Sequence, residues 1–255
     1  MANFNRLQYK DNFIRFKGNI LSKKVLKKVT KSGYGALYNW QVTQESDLIN
    51  GFIVPTDSQW GDMAILLDGV LQAGGKLKST RTDPDIHPRW NSPNTGAMNE
   101  VNFAAFGGGQ REDSGFFDQL GIQGFFWADE FSAEFANTRS IAFNGAQLNS
   151  STGPKNLGIS IRLTRTLTSA EESLDDGTFL QPVQDYDGNW YEVVKIGTLG
   201  WAAQNLRTEH FTNGTPIPIL SNDSDWENAT GAAMCYFNND PELDGIVFTD
   251  EFITV

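Results

Sequence analysis

The chain has 255 residues, of which 39% are hydrophobic and 12% aromatic, and its formal net charge is -11 at pH 7. This composition excludes an intrinsically disordered chain, and the absence of any apolar run near 18 residues predicts no membrane insertion. A single cysteine excludes an intramolecular disulfide, and two histidines without a ligand spacing predict neither a metal site nor a metal cofactor.

Charge is divided unequally along the chain. Residues 1–33 hold nine Lys or Arg and one Asp, a balance of +8, whereas residues 34–255 hold 11 Lys or Arg and 30 Asp or Glu, a balance of -19. The acidic part is expected to repel phosphates, so nucleic acid is not a predicted partner. The basic part also carries apolar side chains, and we predict a docking arm for an acidic protein surface; a solvated basic strand or helix face is the alternative. The arm cations predicted to dock are Arg6, Lys10, Arg15, Lys17, Lys23, Lys24, Lys27 and Lys28.

The first elements in chain order are a strand over residues 12–21 and an aromatic, strand-like segment, "GYGALYNWQV". The clearest helix follows in "VPTDSQWGDMAILLDG". Thr56 and Gln59 have the spacing of a capping box, and Gly69 is predicted to end the helix. Apolar residues at helical spacing predict a core-facing side, on which Trp60 is a packing residue.

Residues 74–125 are rich in Gly, Pro, Asn and Asp but contain regularly placed aromatics, which predicts long, ordered loops. Short strands are predicted next in "GFFWADE", "TRSIAFNG" and "GISIRLTR". In the last of these, Ile159, Ile161 and Leu163 alternate with polar residues, a pattern typical of a half-buried strand. Residues 168–178 are predicted to be a surface linker, and a further strand is predicted over residues 190–196, with β structure at the C-terminus.

Several motifs carry a family resemblance. "YGALYNW", "VPTDSQW", "AGGKLK", "WNSPNTGAMNE", "FGGGQR" and "GISIRLTR" stand in an order that resembles the Fibrobacter succinogenes major paralogous domain, which occurs in Bacteroidetes, in related bacteria and in their phages. "DGNWYEVVKIGTLGWAAQNLRT", "HFTNGTPIPI" and "TGAAMCYFNND" are similar to the same family. The resemblance implies an α+β, C-type-lectin-like fold with short strands, few helices and long ordered loops.

The order of the two groups of motifs implies a circular permutation, because in the family the segment that here lies at 184–255 comes first. We therefore expect a basic arm over 1–33 and one lectin-like domain over 34–255. In it, 34–166 is the family's C-terminal part, 167–183 a linker and 184–255 the family's N-terminal part. The permutation predicts that "NWYEVVKIG" pairs with "ISIRLT" and that the tail to Val255 ends near Tyr34. Two separate units, or completion by a neighbouring chain, are the alternatives.

The chain departs from the family at Leu163, where a cysteine is usual, so Cys235 is expected to be unpaired. We predict that Cys235 is a small buried side chain and not a nucleophile. No sequence signature of a hydrolase, metalloprotease or phosphate loop is present, and carboxylate pairs are expected by number among 31 acids. No enzymatic activity and no cofactor are predicted.

Binding is the more plausible activity, because loops on a rigid scaffold commonly carry recognition. Saccharide sites combine aromatic faces with amides and carboxylates that bind hydroxyl groups. The predicted ligand-binding residues, each of which alternatively has only a packing or turn role, are Trp90, Asn91, Asn94, Asn99, Glu100, Arg111, Trp127, Asp129 and Glu130.

Two functions are compatible with these features. The first is a bacteriophage virion protein, a head fibre or decoration module, which docks through its arm and displays a lectin-like head to host-surface glycans or proteins. The second is a carbohydrate-binding adhesin of the bacterial cell surface, which needs an export signal that residues 1–21 do not resemble. A homo-oligomer is expected, with a trimer as the form that fibres favour.

Overall fold

The structure is a computed structural model that describes residues 33–45 and 47–244. The described helices are α1 Val42–Glu45, α2 Asp57–Leu66, α3 Val70–Leu77 and α4 Asp223–Glu227, with short 3₁₀ helices at Phe237–Asn239 and Pro241–Asp244. The described strands are β1 Leu37–Tyr38, β2 Gly108–Arg111, β3 Phe117–Leu120, β4 Gln123–Glu130, β5 Phe135–Ala142, β6 Asn149–Pro154, β7 Thr164–Thr166, β8 Phe179–Gln184, β9 Trp190–Ile196, β10 Leu199–Ala202 and β11 Met234–Cys235.

The strands form three sheets. One has five strands in the order β3-β2-β4-β5-β6, one has four in the order β7-β10-β9-β8, and one is the pair β1-β11. Short helices accompany these mostly antiparallel sheets, which confirms the α+β class. The predicted arm, the strand over 12–21 and the C-terminal β structure lie outside the described residues.

Helix α2 begins as the sequence predicts. Thr56 Oγ1 accepts a hydrogen bond from the Gln59 amide at 3.2 Å, and Gln59 Oε1 accepts one from the Thr56 amide at 2.8 Å. Trp60, which belongs to this helix, is fully buried. The helix ends at Leu66, before Gly69, because Asp68 already has φ +67°; Gly69, with φ +86°, is the N-cap residue of α3. Helix α3 itself corrects the prediction of loops from residue 74 onwards.

The segment "GISIRLTR" differs from the predicted half-buried strand. Only Thr164–Thr166 form a regular strand, and Ser160, Arg162 and Thr164 are as fully buried as the apolar residues with which they alternate. The cause is contact on both faces: Ile159, Ile161 and Leu163 join one hydrophobic cluster, whereas Ser160 Oγ accepts from Asn205 Nδ2 at 3.0 Å and Arg162 Nε donates to Asn205 Oδ1 at 2.6 Å. An alternating pattern here marks two different buried environments.

Strand β9 does not pair with "ISIRLT" among the described residues, so that pairing prediction is wrong. Its hairpin partner β10 occupies the position instead, with Trp201 opposite Thr164 and Leu199 opposite Thr166. The reason is the tight turn at Gly197, where φ is +62° and the chain folds β10 back between β9 and β7. The predicted linker over 167–183 also contains the start of β8, which pairs with β9.

The core joins the two groups of motifs. One hydrophobic cluster contains Ile159, Ile161 and Leu163 together with Tyr191 and Val193. At the other end of the sequence, β11 pairs with β1, with Cys235 opposite Leu37 and Met234 opposite Tyr38. Residues far apart in sequence therefore bury a common apolar interior, and the loops between them are held on its surface.

Candidate functional site

Two of the family motifs, "AGGKLK" and "WNSPNTGA", pack against each other. Lys78 is fully buried, and its Nζ donates to the carbonyls of Thr95 at 2.7 Å, Gly145 at 2.8 Å and Ala142 at 3.0 Å. Asn94, with φ +47°, donates from Nδ2 to the Ser79 carbonyl at 3.0 Å. A buried ammonium surrounded by carbonyl oxygens holds these loops together, and none of the described carboxylates pairs with it.

The other predicted residues of this region also hold the loops. Trp90 is fully buried and donates from Nε1 to the Ala105 carbonyl at 2.9 Å, while the Asn91 amide donates to the Gly121 carbonyl at 2.8 Å. Asn99 Oδ1 accepts from the Ala104 amide at 2.7 Å, and Glu100 pairs with Lys76 at 3.1 Å. The structure does not bring these side chains together on one open surface.

Arg111 is a buried cross-link. Its guanidinium lies between the rings of Phe117 and Trp226, 4.8 and 4.7 Å from their centroids. Nη2 donates to Asp223 at 2.9 Å, and Nε donates to the Gly115 carbonyl at 3.0 Å. The side chain is fully buried, so its role is to join β2 to α4.

The last three predicted residues lie at one cleft of about 330 Å³. Asp129 and Glu130 line it, while the fully buried Trp127 lies beneath, with its ring centroid 5.6 Å from that of Trp40. The lining residues are Trp40, Thr43, Gln44, Asp47, Leu48, Phe52, Ile53, Val54, Ala128, Asp129, Glu130 and Leu163. We call this the Trp40 cleft.

Several polar groups of the Trp40 cleft are fixed by the surrounding strands. Asp129 Oδ1 accepts from the Asp57 amide at 3.0 Å and from Asn137 Nδ2 at 2.9 Å, and Glu130 pairs with Lys155. The Trp40 indole N–H is buried and has no hydrogen-bond partner in the described part of the chain. Asp47 is exposed at the rim. The cleft thus offers carboxylate acceptors and an apolar wall that includes Ile53.

Carboxylates outnumber cations over residues 34–255, which hold 11 Lys or Arg and 30 Asp or Glu. Each of the 11 Lys and Arg side chains between residues 34 and 244 makes at least one hydrogen bond or ion pair within the fold, and Lys78, Arg111 and Arg162 are fully buried. The cations are therefore used internally, and the excess of carboxylates defines the outer surface.

Trp40, Gln44 and Asp47 were not predicted as site residues. They belong to "NWQVTQESD", in which an aromatic residue is followed by a polar run around α1, and this pattern is the sequence signal that could have indicated them. They line the same cleft as Asp129, although they lie more than 80 positions from it in sequence. Only the folding of β4 against the α1 segment brings the two together.

The remaining candidates for chemistry are the lone cysteine and possible metal ligands. Cys235 is fully buried, as predicted, and burial raises the pKa of its thiol to about 12. In the described ranges, no three His, Cys, Asp or Glu side chains are grouped as ligands for a metal ion. None of the described helices combines the length and the apolarity required to span a membrane.

Comparison with known proteins gives one match. The model of the Fibrobacter succinogenes major domain matches residues 10–165, more than half of the chain. Neither the curated proteins nor the solved structures contain a match. The matched range includes residues 10–33, which the motifs had placed outside the domain, and it stops before residues 184–240, whose resemblance rests on their motifs alone. The chain belongs to the Fibrobacter succinogenes major domain family.

Proposed function

We propose that this protein is a non-enzymatic structural protein of a bacteriophage virion, a head fibre or decoration module. In this proposal the basic arm docks on other virion proteins, and residues 34–255 form a circularly permuted, C-type-lectin-like head. The head adheres to the host surface by binding a glycan in the Trp40 cleft. The observation that carries the proposal is this cleft, in which the fixed carboxylates Asp129 and Glu130 lie beside an apolar wall on an acidic head.

The pairing of β11 with β1 supports the permutation. In the family, the "CYFNND"-like segment is followed by the "LYNW"-like segment, and here Cys235 lies opposite Leu37 although they are 198 positions apart. The β10–β7 ladder supports it from the other junction, because it places the family's first hairpin beside its last strand. Chain ends that lie side by side are the condition under which permutation is tolerated.

The ligand chemistry follows from the groups in the cleft. Asp47, Asp129 and Glu130 accept hydrogen bonds, so a ligand must present donors, as the hydroxyl groups of a saccharide do. The surrounding negative charge disfavours acidic sugars. A volume of about 330 Å³ is at the lower end of ligand sites and suits one or two sugar rings. We therefore propose a neutral or amino sugar.

A binding role is favoured over catalysis by the state of the candidate reactive groups. Asp129 Oδ1 accepts from Asp57 and Asn137, and Glu130 Oε1 pairs with Lys155, so both carboxylates are held in place by charge or hydrogen bonds while a second oxygen of each can accept from a ligand. The Cys235 thiol is protonated at neutral pH because burial raises its pKa to about 12. Neither a nucleophile nor a free acid–base pair is offered at the cleft.

Glycan binding is tested on the full chain with an array of neutral, amino and acidic glycans, followed by titration calorimetry with the best binder. Trp40→Phe and Asp47→Asn are expected to weaken binding at least tenfold without changing the fold. Asp113→Asn, which changes an exposed carboxylate away from the cleft, is the matched control. Binding that survives both cleft substitutions would place the ligand elsewhere.

Attachment to the virion is tested by charge reversal in the arm. A full-length chain with Lys23, Lys24, Lys27 and Lys28 changed to Glu is expected to fold but to be lost from purified particles. Retention at the wild-type level would contradict docking through the arm. Sedimentation of the wild-type chain at several concentrations tests the homo-oligomer, for which we propose a trimer.

A carbohydrate-binding adhesin of the bacterial cell surface is the second candidate. It is favoured by the name of the matching family, which refers to a cellular bacterium. It would use the same cleft, so the glycan experiment does not separate the two functions. Localisation does: antibody labelling of host cells free of phage particles is expected to be negative for the virion protein and positive for the adhesin.

A further inference from the structure

Four large aliphatic side chains are exposed at the corner between α2 and α3. Ile65 is 75% exposed, Leu71 65%, Val70 51% and Leu66 44%. All four lie within seven residues of sequence, because "AILLDGVLQA" is apolar on more than one side while Met63, Ala64, Leu67 and Ala73 face the core. A concentrated apolar patch on a soluble domain commonly marks a surface that another segment covers.

Acidic residues border this patch. Asp62 lies one turn before Leu66, and Asp68 lies in the corner itself with its side chain 71% exposed. The cation nearest in sequence, Lys76, is engaged by Asp68 and Glu100. A segment that covers the patch should therefore combine apolar side chains with positive charge.

The N-terminal segment of the same chain has this composition. Residues 10–32 contain Phe13, Ile14, Phe16, Ile20, Leu21, Val25 and Leu26 together with eight Lys or Arg. In "IRFK", the apolar Ile14 and Phe16 alternate with Arg15 and Lys17, so an extended segment would present them on opposite sides. One side matches the patch, and the other remains available to an acidic partner.

The point where the described chain begins and the length of the segment before it also favour the N-terminal segment as the one that covers the patch. The described chain begins at Gly33, and Tyr34 lies in the hydrophobic cluster that contains the inner faces of α2 and α3. The preceding 32 residues can extend to roughly 100 Å, far more than the distance across two helices. The family model also matches from residue 10, which includes this segment in the domain and does not treat it as an appendage.

From these observations we propose that residues 10–30 pack on the α2–α3 corner of their own chain. Their apolar side chains cover Ile65, Leu66, Val70 and Leu71, and their lysines form a basic stripe on the acidic head. The covered corner is an intramolecular interface and not the contact between copies. This inference stands independently of the ligand of the Trp40 cleft and of attachment to a virion.

The test is hydrogen exchange of the full-length protein, read by mass spectrometry on peptides that cover residues 10–30. We expect protection of these amides in the wild type and at least roughly tenfold faster exchange in the double variant Ile65→Glu, Leu71→Glu. Ile219→Glu changes a side chain that is 51% exposed on a different loop and is the matched control. Unchanged exchange over β9 shows that each variant is folded.

Three results would overturn the proposal. Wild-type amides over 10–30 that exchange at the rate of an unstructured peptide would show that nothing covers the patch. Protection that persists in the double variant would place the segment elsewhere. Protection that appears only as protein concentration rises would show that a second copy, not the same chain, occupies the corner.

Discussion

The loops of residues 74–125 and the Trp40 cleft are built from the same kinds of residue but differ in where their polar groups point. In the loops, Lys78 and Arg111 are buried cations whose hydrogen bonds end mostly on backbone carbonyls, and the buried Arg162 donates to the loop carbonyl of Phe103 from outside. In the cleft, Asp47 faces solvent, whereas the buried Trp40 N–H, like Asn94 Oδ1 and Arg89 Nε in the loops, has no partner in the described chain. Residue type alone therefore does not separate a side chain that holds the fold together from one that is accessible; its burial and its partners do.

The largest expected effect concerns Arg162. Its guanidinium donates to Asn205, to the carbonyls of Phe103 and Ala202, and stacks 4.4 Å from the Phe103 centroid. Arg162→Met leaves these buried acceptors unpaired and is expected to lower the free energy of unfolding by about 4 kcal/mol. Urea denaturation measures the change. Arg165→Met, which removes a partly exposed pair with Glu171, is the control and should cost about 1 kcal/mol or less.

The next effect tests how closely the loops pack. A Cβ on Gly74 would lie 2.2 Å from the Gln147 carbonyl oxygen, a backbone atom that cannot move aside. Gly74→Ala should therefore lower the melting temperature and cost about 3 kcal/mol. Gly61→Ala, in α2, meets nothing closer than 3.9 Å and should stabilise the protein by about 0.5–1 kcal/mol. Equal effects at both sites would contradict the described packing.

The charge of Lys78 can be tested by pH. Burial lowers the pKa of its ammonium from 10.5 to about 8, so between these values the unfolded chain holds a proton that the folded chain has lost. The contribution of Lys78 to the free energy of unfolding therefore rises with pH between about 8 and 10.5. The difference in unfolding free energy between wild type and Lys78→Met should grow in favour of the wild type by about 1 kcal/mol per pH unit.

The comparison of wild type with Lys78→Met is needed because Cys235 changes the free energy of unfolding with pH in the opposite direction. Burial raises the pKa of Cys235 to about 12, so its contribution is present below the ordinary thiol pKa and is lost as pH rises towards 12. Wild type and Lys78→Met both contain Cys235, so its contribution cancels in the difference between their unfolding free energies. A difference that stays flat from pH 8 to 10 would show that the carbonyl oxygens around Lys78 keep it protonated.

The smallest effect compares two tryptophans directly. Trp127 Nε1 donates to the Tyr38 carbonyl at 2.8 Å, whereas Trp40 Nε1 has no described partner. Both substitutions to Phe remove similar apolar area, but only Trp127→Phe leaves a buried carbonyl with a lost donor. Chemical denaturation should show Trp127→Phe less stable than Trp40→Phe by about 1 kcal/mol. The reverse order would mean that the Trp40 N–H has a partner in the fold.

The sequence predicts some elements well because their signals are local. The capping box of α2 lies within four residues, and the burial of Trp60 follows from helical spacing. The family follows from motifs that are contiguous in sequence. The nine proposed ligand residues do not lie at one place. Asp129 and Glu130 line the cleft and Trp127 lies beneath it, but Trp90, Asn94 and Arg111 hold loops.

Trp90, Asn94 and Arg111 show why the distinction is not local. Their side chains suit a sugar site and a loop cross-link equally well, and the choice depends on carbonyls such as those of Ala105 and Ser79, which adjacent sequence does not specify. The same holds for "GISIRLTR", whose alternation indicates a strand but not that both of its sides are buried.

By itself, the sequence determined the family, the α+β class that the family resemblance implies, the start of α2 and the division into a basic N-terminal stretch and an acidic remainder, because each depends on contiguous motifs, on spacing or on summed charge. The tertiary structure decided which strand lies beside residues 159–166, which cations are buried and which side chains meet at the Trp40 cleft. These outcomes depend on contacts between residues such as Trp40 and Asp129 or Leu37 and Cys235. Local sequence fixes the conformation of each segment, but the burial of apolar surface among distant segments fixes their partners.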